Sequence, residues 1–430
     1  MDLLEKCRQF YDTPERARSM GYPANPRMLH ALGLYPYFLP IERREGPEAV
    51  MGGRRVLMLG SNDYLGLSCH PQVQEAAARA VFEHGTACTG SRFLNGTLDL
   101  HLQLERRLAH FVGKEAALVF TTGYQASLGT IGALVGKDDV VIADRDVHAS
   151  VIDGIRLTDA VQERRARFFR HNDVAHLERI LASVGQERGR LVVVDGVFSM
   201  GGDIAPLPEI AAACRRHGAR LMVDDAHGIG VLGGGRGTAF ELGCQDEVDL
   251  VLGTFSKSLA STGGFVAGSK ETLQWIQHFA RPFIFSASLS PSQVAAVLAA
   301  LDVLEREPDR PARALRNAER LRAGLSAGGF DTKASRSPII PVVIGDQFRT
   351  VQVWRELLKA GVYTNVALPP AVPPDASLLR TSVMATHTDD HIATALERFR
   401  AVRERLGRAV FEKPSADGRS PGFSSGSEGR

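Results

Sequence analysis

The chain has 430 residues, 44% hydrophobic and 23% charged, with 51 Lys+Arg against 49 Asp+Glu and a formal net charge of +2. That length exceeds a typical single domain and is enough to bury a sizeable core, in an ordinary soluble globular composition. The balance of charge argues against nucleic acid as the main partner, because a phosphate-binding face shows as a basic excess.

Five scattered cysteines without a CxxC pair suggest neither a disulfide framework nor a zinc site, and no metal is expected. The first residues are charged throughout, so no signal peptide is expected. No apolar run is long enough to span a bilayer. A cytoplasmic protein is the expectation, with at most peripheral membrane contact.

In chain order, residues 1–55 read as an arm, broken by Pro23, Pro26, Pro36 and Pro40. A strand is predicted over Val56 to Leu59, then helices over Pro71 to His84 and Leu98 to Val112. Strands follow over Ala117 to Phe120, Val140 to Ala143, Arg167 to Arg170, Leu191 to Val194, Leu221 to Val223 and Val248 to Leu252. Helices fall over Tyr124 to Val135, Val147 to Leu157, Asp173 to Val184 and Leu207 to His217. Largely unbroken apolar strands alternating with amphipathic helices predict a mainly parallel sheet covered on both faces. After Pro291 a broken helical region runs to Leu325. Strands are then predicted over Ile339 to Ile344, Tyr363 to Val366 and Leu378 to Val383, with helices over Thr350 to Ala360 and Asp389 to Leu406. The expected division is an arm, a large domain over 56–290, a smaller α+β domain over 291–412 and a disordered tail over 413–430.

In open parallel sheets, ligands sit beyond the carboxyl ends of the strands. Those ends are followed here by Gly123-Tyr124 opening a helix, by His148, by Asp195 and Ser199, by Asp224 and His227, and by Thr254 and Lys257. Each is ordinary alone. Together they supply a backbone cradle for a phosphate, a carboxylate for a pyridine nitrogen and an amine for an aldehyde. That set is what pyridoxal phosphate needs.

The chain resembles the α-oxoamine synthase family of fold-type-I pyridoxal-phosphate enzymes, in aminotransferase class II, over roughly residues 50 to 405. The motifs that carry the resemblance are GTFSKSLASTGGFVAG (Gly253 to Gly268), DGVFSMGGDIAPL (Asp195 to Leu207), VDDAHGIGVLG (Val223 to Gly233), TGSRFLNGT (Thr89 to Thr97) and LGSNDYLGL (Leu59 to Leu67). The runs Arg281 to Pro291 and Leu378 to Thr388 make it most similar to members using serine and a long-chain acyl-CoA. The resemblance implies an α/β fold-type-I transferase with a seven-stranded, mainly parallel sheet and a smaller C-terminal domain. It implies Lys257 as the Schiff-base lysine, Asp224 on the ring nitrogen, and His227 and Ser199 on the ring hydroxyl. His148 would lie on the ring face; Gly123, Tyr124 and Thr254 would hold the phosphate. Ser286 would reach the phosphate of the neighbouring subunit, so a homodimer with shared active sites is implied. Arg380 would clamp the amino-acid carboxylate, with Asn62 assisting near it or near the acyl donor.

The implied reaction is a decarboxylative Claisen condensation of a small amino acid with an acyl thioester. Alternatives within the family use alanine with a pimeloyl thioester, or glycine, or an acyl carrier protein as donor. A different class is an inactive regulatory subunit, but such chains lose the lysine that Lys257 provides. Three positions depart from the family pattern: Asp225 replaces Glu, Ser127 replaces Asn, and Leu368 stands where similar serine-using enzymes carry an arginine.

Overall fold

The computed structural model describes residues 2–13, 15, 26–162, 165–185 and 188–411. The tail expected over 413–430 lies outside the described residues. Three short strands open the sheet architecture: β1 (Arg43–Glu45), β2 (Glu48–Met51) and β3 (Arg54–Met58), paired antiparallel in succession. The turn between β2 and β3 is Gly52-Gly53, with φ of 56° and 68°. Two consecutive left-handed residues match the right-handed twist of a hairpin, and glycine adopts them without strain.

The central sheet has seven strands: β4 (Ala116–Phe120), β5 (Val140–Asp144), β6 (Ala166–Phe169), β7 (Arg190–Asp195), β8 (Arg220–Asp224), β9 (Leu250–Thr254) and β10 (Gly264–Gly268). Their order is β4-β10-β9-β8-β7-β5-β6. The ladder from β9 to β6 is parallel, and β10 runs antiparallel to both β4 and β9. Side chains alternate between two cores. Val192, Val194, Leu221 and Val223 enter one, while Leu191, Val193 and Met222 enter the other. A sheet buried on both faces explains why these strands read as unbroken apolar runs.

The predicted helices are present, and their ends follow local chemistry. Thr122 caps the helix Gly123–Leu134, accepting from Gln125 N at 3.1 Å, and Asp173 caps Val174–Ser183. The helical region after Pro291 is two helices, Pro291–Arg306 and Arg310–Ala327.

The C-terminal part adds β11 (Ile339–Gly345), β12 (Val362–Tyr363), β13 (Asn365–Ala367) and β14 (Ser377–Ser382). β11, β14 and β13 form an antiparallel sheet packed against helix Gln347–Lys359, and helix Asp389–Leu406 shares their core. The single strand expected over Tyr363 to Val366 is two strands in different sheets. β12 pairs parallel to β3 of the N-terminal hairpin, and β13 pairs with β14. Thr364, fully buried between them, is where the chain changes sheet. Leu57 and Leu59 accordingly share a core with Ile340, Trp354 and Phe399.

Candidate active site

The strand β9 runs two residues further than its apolar letters suggest. Gly253 and Thr254 stay in the ladder because Phe265 and Gly264 of β10 pair with them. A Cβ on Gly253 would lie 2.3 Å from the Phe265 ring, so glycine is what lets the aromatic ring cross the strand. Beyond Thr254 the chain turns tightly. Ala260 N bonds Lys257 O, Ser261 N bonds Phe255 O, and Ala260 takes a positive φ of 54°. This loop holds Lys257 over the carboxyl ends of the parallel strands.

Lys257 lines two cavities. One, of about 280 Å³, is walled by Gly123, His148, Ser199, Asp224, His227 and Thr254, among others. The other, of about 570 Å³, is walled by Asn62, Glu48, Met58, Asn365 and Met384, among others. Ser256, Lys257 and Thr262 belong to both. Burial pushes the Lys257 amine down to about 8; Asp224 opposes that shift and Arg380 adds to it. An amine near 8 is a usable nucleophile and base at neutral pH, which an ordinary lysine is not.

The smaller cavity gathers most of the expected groups. Asp195 and Asp224 are register neighbours at the ends of β7 and β8, both buried. Burial, then the adjacent Asp224, holds Asp195 well above the usual carboxylate range. Asp224 Oδ1 accepts Ala226 N at 3.1 Å. His148 N approaches Asp195 Oδ1 at 3.3 Å, and His148 Nδ1 pairs with Ser150 Oγ at 2.8 Å. The His148 imidazole is lowered by burial, Asp224 opposing. Gly123 starts its helix directly against β10: a Cβ on Gly264 would sit 2.4 Å from Gly123 Cα. The first N–H groups of a helix lack internal partners, and Gly123 and Tyr124, at this helix start, line the smaller cavity. Thr254 Oγ1 donates to Gly263 O at 3.0 Å, and Ser256 Oγ lies 2.8 Å away.

Other expected residues are placed differently. Asn62 lines the larger cavity, where its Oδ1 accepts from Tyr64 at 3.2 Å. Arg380 is 4% exposed and lines neither cavity. Its Nε donates to Ser199 O at 2.5 Å and its Nη2 to Tyr64 OH at 3.2 Å. Ser286 stands outside both cavities, its Oγ accepting from Gln125 Nε2 at 3.0 Å. Leu368 is buried in the C-terminal core and faces neither cavity. Ser127 is fully buried, with no partner for its hydroxyl among the described residues. Asp225 accepts both the N–H and the hydroxyl of Thr238, and burial lifts its carboxyl to about 6. Cβ atoms on Gly228 or Gly237 would touch that carboxylate at 2.0 and 2.2 Å, so Asp225 fills a close-fitting structural niche.

Two features are not apparent from sequence pattern. Tyr64 is fully buried and joins three site residues: its hydroxyl contacts His227 Nδ1 at 2.7 Å as well as Asn62 and Arg380. The motif Leu59 to Leu67 contains it, but nothing local to the motif names its partners His227 and Arg380. The second is His171. Its Nδ1 meets Asp144 Oδ1 at 3.1 Å and its Nε2 meets Asp203 Oδ2 at 2.9 Å. Although burial opposes it, the two carboxylates raise this imidazole to about 10, so it is a cation. It ties the end of β5, ahead of His148, to the loop that carries Ser199.

A buried, activated lysine over a parallel sheet, with a helix start and a carboxylate at its sides, defines a fold-type-I pyridoxal-phosphate transferase. The sequence matches the model of aminotransferase class I and II over residues 54–399. The chain belongs to that family. It is 46% identical over 371 residues to the serine palmitoyltransferase of Sphingobacterium spiritivorum, covering 86% of this chain and 92% of that one. It is 44% identical over 393 residues to the 8-amino-7-oxononanoate synthase of Geobacter metallireducens, covering 90% and 99%. A solved serine palmitoyltransferase with a pyridoxal phosphate internal aldimine superposes with a TM-score of 0.88 at 38% identity, covering 95% of this chain and all of that one.

Proposed function

We propose that this protein is an α-oxoamine synthase that condenses L-serine with a long-chain acyl-CoA, releasing coenzyme A and carbon dioxide and forming a 3-oxosphinganine. The observation that carries the reading is Lys257, buried, lowered to about 8 and placed where two cavities meet. The similarity to serine palmitoyltransferases, at 44–46% identity over most of both chains, supports it.

Pyridoxal phosphate fits the smaller cavity. A carboxylate, an amine and a helix start converge there, and the backbone at Gly123 and Gly264 is packed too closely to admit side chains. The helix N–H groups of Gly123 and Tyr124 would take the phosphate, with Thr254 and Ser256 hydroxyls beside them. Asp224 would hold a proton on the ring nitrogen, His227 and Ser199 would bond the ring hydroxyl, and His148 would cover a ring face. Bound there, the cofactor supplies an electron sink for a bond at the amino acid's α-carbon. Lys257 Nζ accepts the proton from that carbon and later returns one. Arg380, already bonded to Ser199 O and Tyr64 OH, would take the carboxylate with the remaining N–H groups of its fork. Asn62, in the larger cavity, faces the thioester side.

We assign the working form to a homodimer in which Ser286 completes the partner's phosphate site, and the setting to the cytoplasm. Among the described residues no helix is long and apolar enough to cross a membrane. The three-part division of the chain, with an arm to residue 55 and a small unit from 291, fits a site lined from all three. A second reading, alanine with a pimeloyl thioester, is favoured by Leu368, which leaves Arg380 without a second carboxylate arginine. The deciding experiment titrates cofactor-loaded protein with serine, alanine and glycine, then supplies acyl-CoAs of rising length and weighs the products. Serine with long chains is the expected pair; product from alanine alone would replace the first reading with the second.

A further inference from the structure

The larger cavity beside Lys257 is mostly polar, lined by Asn62, Asp63, Ser256, Ser261, Gln293 and Asn365 among others. A long acyl chain has to leave that polar mouth through apolar lining. Such lining is concentrated on one face, where Ala49 and Met58 of the hairpin meet Met384 and Tyr363. This face does not stop at the cavity. Met51 and Val56 continue it, packed with Leu39 and Leu358. Those four residues line a separate outer cavity of about 370 Å³, with Trp354 also in its lining.

The register shows how thin the division is. Ala49 of β2 and Val56 of β3 are directly opposite partners. Ala49 lines the inner cavity and Val56 the outer one. Opposed residues of an antiparallel pair hold their Cβ atoms about 5 Å apart. Met58 and Met384 close the face on the Lys257 side, at 5% and 1% exposure. Methionine is unbranched and repacks readily, so a closed face built of it still admits a chain of methylenes.

We propose that the acyl chain of the thioester runs from Lys257 over Met58, past the Ala49–Val56 pair, and ends in the outer cavity. The side chains at 49 and 56 thus set the acyl length accepted. This deepens the acyl-transfer reading and rests on it. Each methylene turned out of an apolar site forfeits about fourfold in affinity, so blocking the pair discriminates steeply by length.

The test measures kcat/KM for acyl-CoAs from six to eighteen carbons with wild type, Ala49→Leu and Val56→Ala. Ala49→Leu is expected to lower kcat/KM for hexadecanoyl-CoA by about 15-fold or more, the loss for two ejected methylenes, and to leave octanoyl-CoA within about twofold. Val56→Ala is expected to move the optimum to longer chains. Thermal unfolding and cofactor absorbance confirm that each variant is folded and loaded; if Ala49→Leu does not fold, Val56→Ala carries the test. Equal losses at every chain length, or an unchanged length profile, overturn the proposal. Equilibrium binding of the non-hydrolysable hexadecyl-CoA thioether is a readout independent of turnover. If wild type turns over no acyl-CoA yet binds this thioether more tightly than Ala49→Leu does, the acyl-transfer reading fails while the chain path stands. Equal affinities overturn the path itself.

Discussion

The floor of the site and its wall are built in different ways. The floor is the row of strand ends carrying Asp195, Asp224 and Thr254. Its spacing is set by the parallel backbone ladder, in which Asp195 and Asp224 are register partners. The wall carries Asn62 and Asn365, with Tyr64 and Arg380 bonded to it; its own strands are laddered, Asn365 of β13 opposite Arg380 of β14, and it is tied to the floor through side chains. Asn365 Nδ2 reaches Gly60 O at 2.7 Å, Ser382 Oγ reaches Ser61 O at 2.6 Å, and Arg380 reaches Ser199 O. A ladder of backbone bonds resists displacement of any one member; a single side-chain bond does not. The floor is thus one continuous ladder, and the wall a second, separately laddered part joined to it through side chains such as Arg380.

Substitutions on the two sides sharpen that contrast. Lys257→Ala, on the floor, should abolish the long-wavelength cofactor absorbance and lower turnover by at least about 10³-fold, with unchanged circular dichroism. The pH dependence follows from the same group. Because its amine is lowered to about 8, covalent capture of added cofactor by apoprotein should speed up as pH rises toward 8 and then level off. A rate still climbing at pH 10 would mean an ordinary lysine. Arg380→Lys, on the wall, keeps the charge and loses the fork. We expect KM for the amino acid to rise about 10- to 100-fold, with a smaller change in kcat. If kcat alone fell, Arg380 would belong with the floor.

His171 joins the loops of the floor, and its imidazole is raised from an ordinary 6.5 to about 10. A raised folded-state value adds stability that is complete below pH 6.5 and is lost as pH rises through about 10. His171→Gln should therefore lower Tm by a few degrees at pH 6, and the gap from wild type should close by pH 10.5. A gap that is constant with pH would assign the histidine to packing alone. The smallest effect is expected at Tyr64→Phe, which removes one hydroxyl shared by His227, Asn62 and Arg380. A loss of about fivefold in kcat/KM, near the worth of one hydrogen bond, is expected, read by steady-state kinetics with the cofactor spectrum unchanged.

Most of the floor is legible in the sequence, because a doubly covered parallel sheet writes itself as apolar runs and its ends carry the polar residues. Lys257, Asp224, His148, His227 and Gly123 do line one cavity. The wall is not legible in the same way. The hairpin strands are short and carry Arg43, Arg44, Arg54 and Arg55, so no alternation stands out; the Gly52-Gly53 pair is the available signal. β12 and β13 merge into one predicted strand because Thr364, a good strand residue by type, hides the change of sheet. Tyr64 and His171 depend on partners far along the chain, a relation that local pattern does not carry. The shift of β9 toward Thr254 has the same origin, since Gly253 is in the ladder only because Phe265 comes back across it.

The sheet shared by β3 and β12 also bears on how the protein is made. Gly60 and Asn365, which close it, are 305 residues apart in the chain. At about 5–20 residues per second, a ribosome needs tens of seconds to supply the second of these after the first. Throughout that time the hairpin has emerged without the strand that completes it, and one edge of β3 is unpaired. The residues that β12 later covers are Leu57 and Met58; Arg54 and Arg55 precede them on the same strand, and charge along an edge discourages pairing with a neighbouring nascent chain. The hairpin is thus synthesised well before the strand that completes it and is among the last parts to reach its final surroundings.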